Sequence, residues 1–178
     1  MTRKMLFAGF GGQGLLFAGK FFATKGLIED KYLSWLPSYG PEMRGGTANC
    51  SVIISDEPVG SPIVAEPDIL VAMNLPSLDK YEKAVEKGGY IFVDSTLIER
   101  KVERDDVNAV YVPATRLAME IGAPTLANMV LAGKIIRECP EFTTDDIEDA
   151  LKKVVSAKHP EMAEINLKAI KTGYNYEG

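Results

Sequence analysis

Gly9, Gly11 and Gly14 stand at G-x-G-x-x-G spacing directly after a short apolar run, with Gly12 and Gln13 filling the last gap. Glycines so placed let the backbone turn tightly and bring N–H groups close to a phosphate or another anion at a helix start. The same spacing also serves a purely structural turn, in which a strand and a helix pack closely. A dinucleotide site would add an acid at the tip of the next strand, roughly 20 residues on, to hold a ribose. Here the next strand ends in Leu36-Pro37-Ser38 and offers no carboxylate. The second group of residues with chemical reach surrounds Arg44, between Met43 and the pair Gly45-Gly46. An arginine on such a loop can fork onto a carboxylate or phosphate, or pair with Glu42 or with a partner chain. Pro37, Tyr39, Pro41 and Met43 add the apolar surface that interface cores use, so these four and Arg44 are the candidate interface residues.

Other chemistries find little material. The chain has 178 residues and 2 cysteines, Cys50 and Cys139, with no C-x-x-C spacing for zinc or an iron–sulfur cluster. They read as buried, reduced thiols. The one histidine, His159, precedes Pro160 in a polar stretch and reads as a surface loop residue. Asp145, Asp146, Glu148 and Asp149 crowd a helix start, where the helix dipole accounts for them better than a metal would. Net charge is −5 and dispersed, which gives no footprint for nucleic acid or an anionic membrane. No apolar run approaches the ~18 residues of a membrane span, and the expected location is the cytoplasm.

The elements that must position these residues follow from periodicity. Residues 5–8 read as a strand, the glycine turn follows, and 15–28 has helical character. A short strand over 32–36 leads to a loop too rich in proline and glycine to be an element interior. Residues 48–55 and 59–64 read as two strands of an antiparallel hairpin around Asp56-Glu57-Pro58. Buried strands are expected at 69–73, 90–93 and 109–112, with a helix opened by Pro76 and Ser77 and stopped at Gly88. Residues 125–138 form an apolar helix, Thr143 and Asp146 suggest a capping box for the next, and Met162, Ile165 and Ala169 mark a last one before a polar tail. The expected class is α/β: a single Rossmann-like domain, its sheet mostly parallel with an antiparallel hairpin, helices on both faces and a helical C-terminal third.

The turn Gly9-Phe10-Gly11-Gly12-Gln13-Gly14 and the later run Pro37-Ser38-Tyr39-Gly40-Pro41-Glu42-Met43-Arg44-Gly45-Gly46-Thr47-Ala48-Asn49 together resemble the gamma subunit of 2-oxoacid:ferredoxin oxidoreductases. Pro67-Asp68-Ile69-Leu70-Val71-Ala72-Met73-Asn74 and Pro76-Ser77-Leu78-Asp79-Lys80-Tyr81 continue the likeness. The stretch from Glu42 to Asn49 is most similar to the 2-oxoglutarate (2-ketoglutarate) branch. The resemblance implies one gamma-type domain over 1–178, without catalytic residues or redox centre of its own. It implies alpha, beta and delta partner subunits that carry thiamine diphosphate, Mg and iron–sulfur clusters, coenzyme A as substrate, and ferredoxin as acceptor through the complex. Contacts to coenzyme A or an anion are carried over only to Gly9, Gly11, Gly12, Gln13, Gly14 and Arg44. Relatives acting on pyruvate, branched-chain 2-oxoacids or indolepyruvate, a stand-alone nucleotide-binding domain, and a pure assembly scaffold are the alternatives.

Overall fold

In the computed structural model, which describes residues 1–38 and 48–178, alternating apolar segments assemble one six-stranded sheet. In chain order the elements are β1 (Thr2–Gly9), α1 (Leu15–Ile28), β2 (Tyr32–Pro37), β3 (Ala48–Ser55), β4 (Ile69–Ala72), α2 (Leu75–Tyr81), β5 (Tyr90–Asp94), β6 (Asn108–Val112), α3 (Ala114–Glu120), α4 (Ala127–Glu138), α5 (Ile147–Val154) and α6 (Glu161–Asn175). The strand order is β2-β3-β1-β4-β5-β6. β1, β4, β5 and β6 are parallel neighbours, and β3 runs antiparallel to both β1 and β2.

Period-two alternation divides the core. Met5, Phe7, Ile69, Val71 and Phe92 point to one face, where Phe21 and Phe22 of α1 and Met129 of α4 meet them. Leu6, Ala8, Leu70, Ala72, Ile91 and Val93 point to the other, against Leu78, Val85 and Ile98. Helices do lie on both faces, unevenly: α2 serves the second face, whereas α1, α3, α4 and α5 pack with the first. α4 and α6 cross at backbone contact. A Cβ on Gly133 would sit 2.8 Å from the Tyr174 nitrogen, and one on Gly173 would sit 2.7 Å from the Val130 carbonyl carbon.

Several local expectations are corrected. The antiparallel hairpin exists, but β2 and β3 form it, and 59–64 is not a strand. Both edges of β3 are already taken by β1 and β2, and Gly60 and Pro62 are poor ladder residues in any case. No capping box forms at α5: Asp146 is its N-cap without a side-chain hydrogen bond, and Thr143 Oγ1 instead accepts from Lys25 Nζ at 3.3 Å. The helix expected to reach Gly88 stops at Tyr81 and tightens into a 3₁₀ turn, Glu82–Ala84. The apolar helix begins at Ala127 rather than Thr125, and α3 was not foreseen. The polar tail is partly an element, since α6 runs to Asn175 and Tyr176 packs on the core.

Candidate functional site

The carboxyl ends of the parallel strands set one edge of the sheet, the usual place for ligands in open α/β folds. β1 ends there at Gly9, and α1 begins at Leu15 after the glycine turn. Gly12 (φ 88°) and Gly14 (φ 74°) occupy left-handed backbone that side chains rarely adopt. Gly14 is the N-cap of α1 and brings no side chain to its first turn, so among the described residues the leading N–H groups have no side-chain acceptor. The positive end of the helix dipole adds to their pull on an anion.

Two side chains build the turn. Gln13 closes it from inside, its Oε1 accepting from the Phe10 N–H at 2.6 Å and its Nε2 donating to the Met73 carbonyl at 2.9 Å. A Cβ on Gly9 would run into that amide. Asn128 closes the turn from below, donating to the Gly14 carbonyl at 2.9 Å, and a Cβ on Gly14 would lie 2.9 Å from its Cγ. Asn128 is 4% exposed, and its Oδ1 is buried without a partner. Sequence reasoning missed it. The available signal was an amide in the first turn of a helix otherwise apolar until Lys134.

In front of the turn lies a groove of about 340 Å³ lined by Phe10, Gly11, Gly12, Gly14, Leu15 and Ala48, among others. Among the described residues the lining has no charged side chain, and backbone N–H groups and the helix dipole supply their polarity. A Cβ on Gly12 would meet nothing within 4 Å and would project into open space. On the opposite face of the sheet a second hollow of about 480 Å³ is lined by Pro37, Ser38, Asn49, Ser51 and Tyr81, with apolar neighbours. There Asn49 Nδ2 donates to the Tyr81 hydroxyl at 3.0 Å.

Tyr39, Pro41, Met43 and Arg44 lie outside the described residues. Their flanks are described: the Ser38 N–H donates to the Asn49 carbonyl at 2.8 Å, and Ala48 lines the groove. Both ends of that segment therefore sit at the glycine turn's edge, and Pro37 closes β2 beside it. The missing ribose acid gains a topological reason. The strand beside β1 is the antiparallel β3, which begins at this edge instead of ending there.

Asp94, fully buried at the tip of β5, accepts from Thr115 Oγ1 at 2.6 Å and from the Thr96 N–H at 3.1 Å. Cys50 and Cys139 are free and buried, and burial pushes each thiol up to about 12. His159 is exposed beside Glu161. Among the described residues, no three His, Cys, Asp or Glu side chains gather as a metal site, and no helix is long and apolar enough to cross a membrane.

A family model described as pyruvate ferredoxin/flavodoxin oxidoreductase matches residues 4–176. The chain belongs to this family. It is 36% identical over 177 residues to the 2-oxoglutarate synthase subunit KorC of Methanocaldococcus jannaschii, covering 98% of this chain and 93% of that one. It is 37% identical to the ketoisovalerate oxidoreductase subunit VorA of Methanothermobacter marburgensis, covering 97% of this chain but only 36% of that longer protein. Among solved structures of pyruvate ferredoxin/flavodoxin oxidoreductase relatives, the gamma subunit of a keto/oxoacid ferredoxin oxidoreductase from Geobacter sulfurreducens superposes with a TM-score of 0.83 at 30% identity, over 98% of this chain and 95% of that one. The 2-oxoglutarate:ferredoxin oxidoreductase of Magnetococcus marinus, solved with 2-oxoglutarate, coenzyme A and succinyl-CoA, shares the fold at a TM-score of 0.85 and 20% identity, over 97% of this chain and 30% of that one.

Proposed function

We propose that residues 1–178 form one gamma-type domain serving a 2-oxoglutarate:ferredoxin oxidoreductase in the cytoplasm. The observation that carries this reading is the match to a 2-oxoglutarate synthase subunit along 93% of that subunit's length. The reaction converts 2-oxoglutarate, coenzyme A and oxidised ferredoxin to succinyl-CoA, CO2 and reduced ferredoxin. Thiamine diphosphate with Mg, and iron–sulfur clusters, supply decarboxylation and electron transfer. We assign them to alpha, beta and delta subunits, because two buried and well-separated thiols do not make a cluster ligand set.

This chain's part in the reading is to hold an anionic portion of coenzyme A. Gly11 and Gly12 keep the approach to the first N–H groups of α1 clear of side chains, while Gly9 and Gly14 leave room for Gln13 and Asn128 to close the turn behind it. Gln13, with both polar ends tied to backbone, holds the turn's shape instead of reaching for the ligand. Arg44 supplies the positive charge that the groove's described lining lacks, and the segment around it, from Pro37 through Tyr39, Pro41 and Met43, meets the catalytic subunits. The test is steady-state kinetics of the purified complex with 2-oxoglutarate, pyruvate and 2-oxoisovalerate. We expect kcat/KM for 2-oxoglutarate to exceed the others at least ~10-fold, about 1.4 kcal/mol of transition-state discrimination. A clear preference for the branched acid would transfer the chain to the VorA branch.

A further inference from the structure

Among the described residues, β2 is an edge strand whose outer edge carries none of the usual protection. Edge strands in soluble proteins are blunted by charges, bulges or interior prolines, because unpaired backbone groups invite another strand. Residues 32–37 read Tyr-Leu-Ser-Trp-Leu-Pro, with no charge and a proline only at the end. Tyr32, Trp35 and Leu36 are 52%, 37% and 41% exposed, large values for such side chains in a strand.

The register shows which backbone groups find no partner among the described residues. The Ser38 N–H donates to the carbonyl of Asn49 directly opposite it, so the even-numbered residues of β2 point their backbone groups at β3. Leu33 and Trp35 therefore present N–H and C=O outward. The outward ladder is closed at one end by Pro37, which has no N–H, and at the other by Lys31, whose N–H is held by the Gly26 carbonyl at 3.0 Å.

We propose that β2 is a homodimerisation strand, pairing antiparallel with β2 of a second copy about a two-fold axis at Ser34. In that register Leu33 and Trp35 of the two copies exchange N–H···O bonds in both directions, using each outward group once. The side chains agree as well. Leu33 and Trp35 share the face of α1, where Trp35 lies beside Gly19, so each meets the other's counterpart across the axis. Tyr32 and Leu36 meet on the opposite face, and the small Ser34 faces itself at the centre. An axis at Trp35 would set the bulkiest residue against itself and pair Leu33 with the donor-less Pro37. This self-complementarity selects a second copy over an unrelated chain. The two sheets then join into one continuous sheet.

The experiment combines sedimentation with a directed cross-link on the full chain. We expect a reversible dimer at micromolar concentration. Ser34 in both copies forms a non-hydrogen-bonded pair, with Cα atoms about 4.5 Å apart. That lies within disulfide reach, so Ser34→Cys should link two copies under mild oxidation, whereas Trp35→Cys should not. Cys50 and Cys139 give no background because both are buried. Leu36→Lys should weaken the dimer at least tenfold while thermal unfolding, followed at a dilution where both proteins are monomeric, stays unchanged. A chain that stays monomeric alone and contributes no self-contact in the purified complex overturns the proposal. So does a dimer that Ser34→Cys does not link and Leu36→Lys does not weaken. A monomer in which Leu36→Lys instead blocks association with another subunit gives the edge to that subunit and also overturns it.

Discussion

Gly12 is the residue at which a ligand role and a structural role part. Its added Cβ meets nothing within 4 Å and points into open space, so Gly12→Val places its bulk in the groove, with strain at φ 88° as its cost to the fold. We expect Gly12→Val in the intact complex to raise KM for coenzyme A about tenfold and to leave kcat and KM for 2-oxoglutarate nearly unchanged. Thermal unfolding is the control, and equal effects on both substrates would leave the turn a packing device. The glycines were legible in the sequence because few other residues take φ above zero. Their supports were not. Gln13 looked like a ligand contact, and only the three-dimensional turn reveals that the Phe10 N–H and the Met73 carbonyl occupy both ends of its amide. Asn128 lies 114 positions from Gly14, a separation that no local pattern can bridge.

At the scale of elements, strands flanked by turn residues were readable, and pairing partners were not. Alternation in Ala48–Ser55 announces a strand without saying which neighbours take its two edges, so 59–64 was paired to it by proximity in sequence. Thr143 likewise satisfies a capping pattern, yet the buried Lys25, 1% exposed and 2.7 Å from Glu29, draws its hydroxyl away. The α4–α6 crossing has a sharper consequence. Because the nearest neighbour of a Cβ at Gly173 is rigid backbone of Val130, no rotamer change can relieve the overlap. Gly173→Ala should therefore cost about 2–3 kcal/mol despite its better helix propensity, lowering Tm by roughly 5–10 °C. Calorimetry on the purified chain checks this, and an unchanged or raised Tm would mean that the helices can separate at no cost.

For the molecule as a whole, Asp68 ties the start of β4 to β1 and makes folding sensitive to pH. Its carboxylate is 8% exposed and accepts the Lys4 N–H at 3.1 Å. Burial dominates and pushes its pKa up to about 6, against the downward pull of that hydrogen bond and of Arg3. Between about pH 4 and 6 the folded chain thus holds a proton that the unfolded chain has released. This contribution is fully favourable below pH ~4 and is lost as pH rises through about 6. Asp68→Asn keeps an acceptor for Lys4 and removes the buried charge. We expect a gain over the parent chain that grows from near zero at pH 4 to about 2 kcal/mol at pH 7, followed by urea unfolding. A gain independent of pH would show that the carboxylate is well solvated. Overall, the α/β class and the gamma-type motifs were legible, since periodicity and glycine spacing are local. The antiparallel insertion of β3 was not, because it depends on which edge the returning chain finds.

The Gln13 clamp bears on rates as much as on shape. Since Phe10 and Met73 are tethered through one amide that belongs to the turn itself, the turn loses its conformational freedom when the chain folds. If the groove takes the anion proposed for it, the glycine turn then adds no ordering step of its own to that association. The Phe10 amide should accordingly exchange with solvent deuterium as slowly before ligand is added as after.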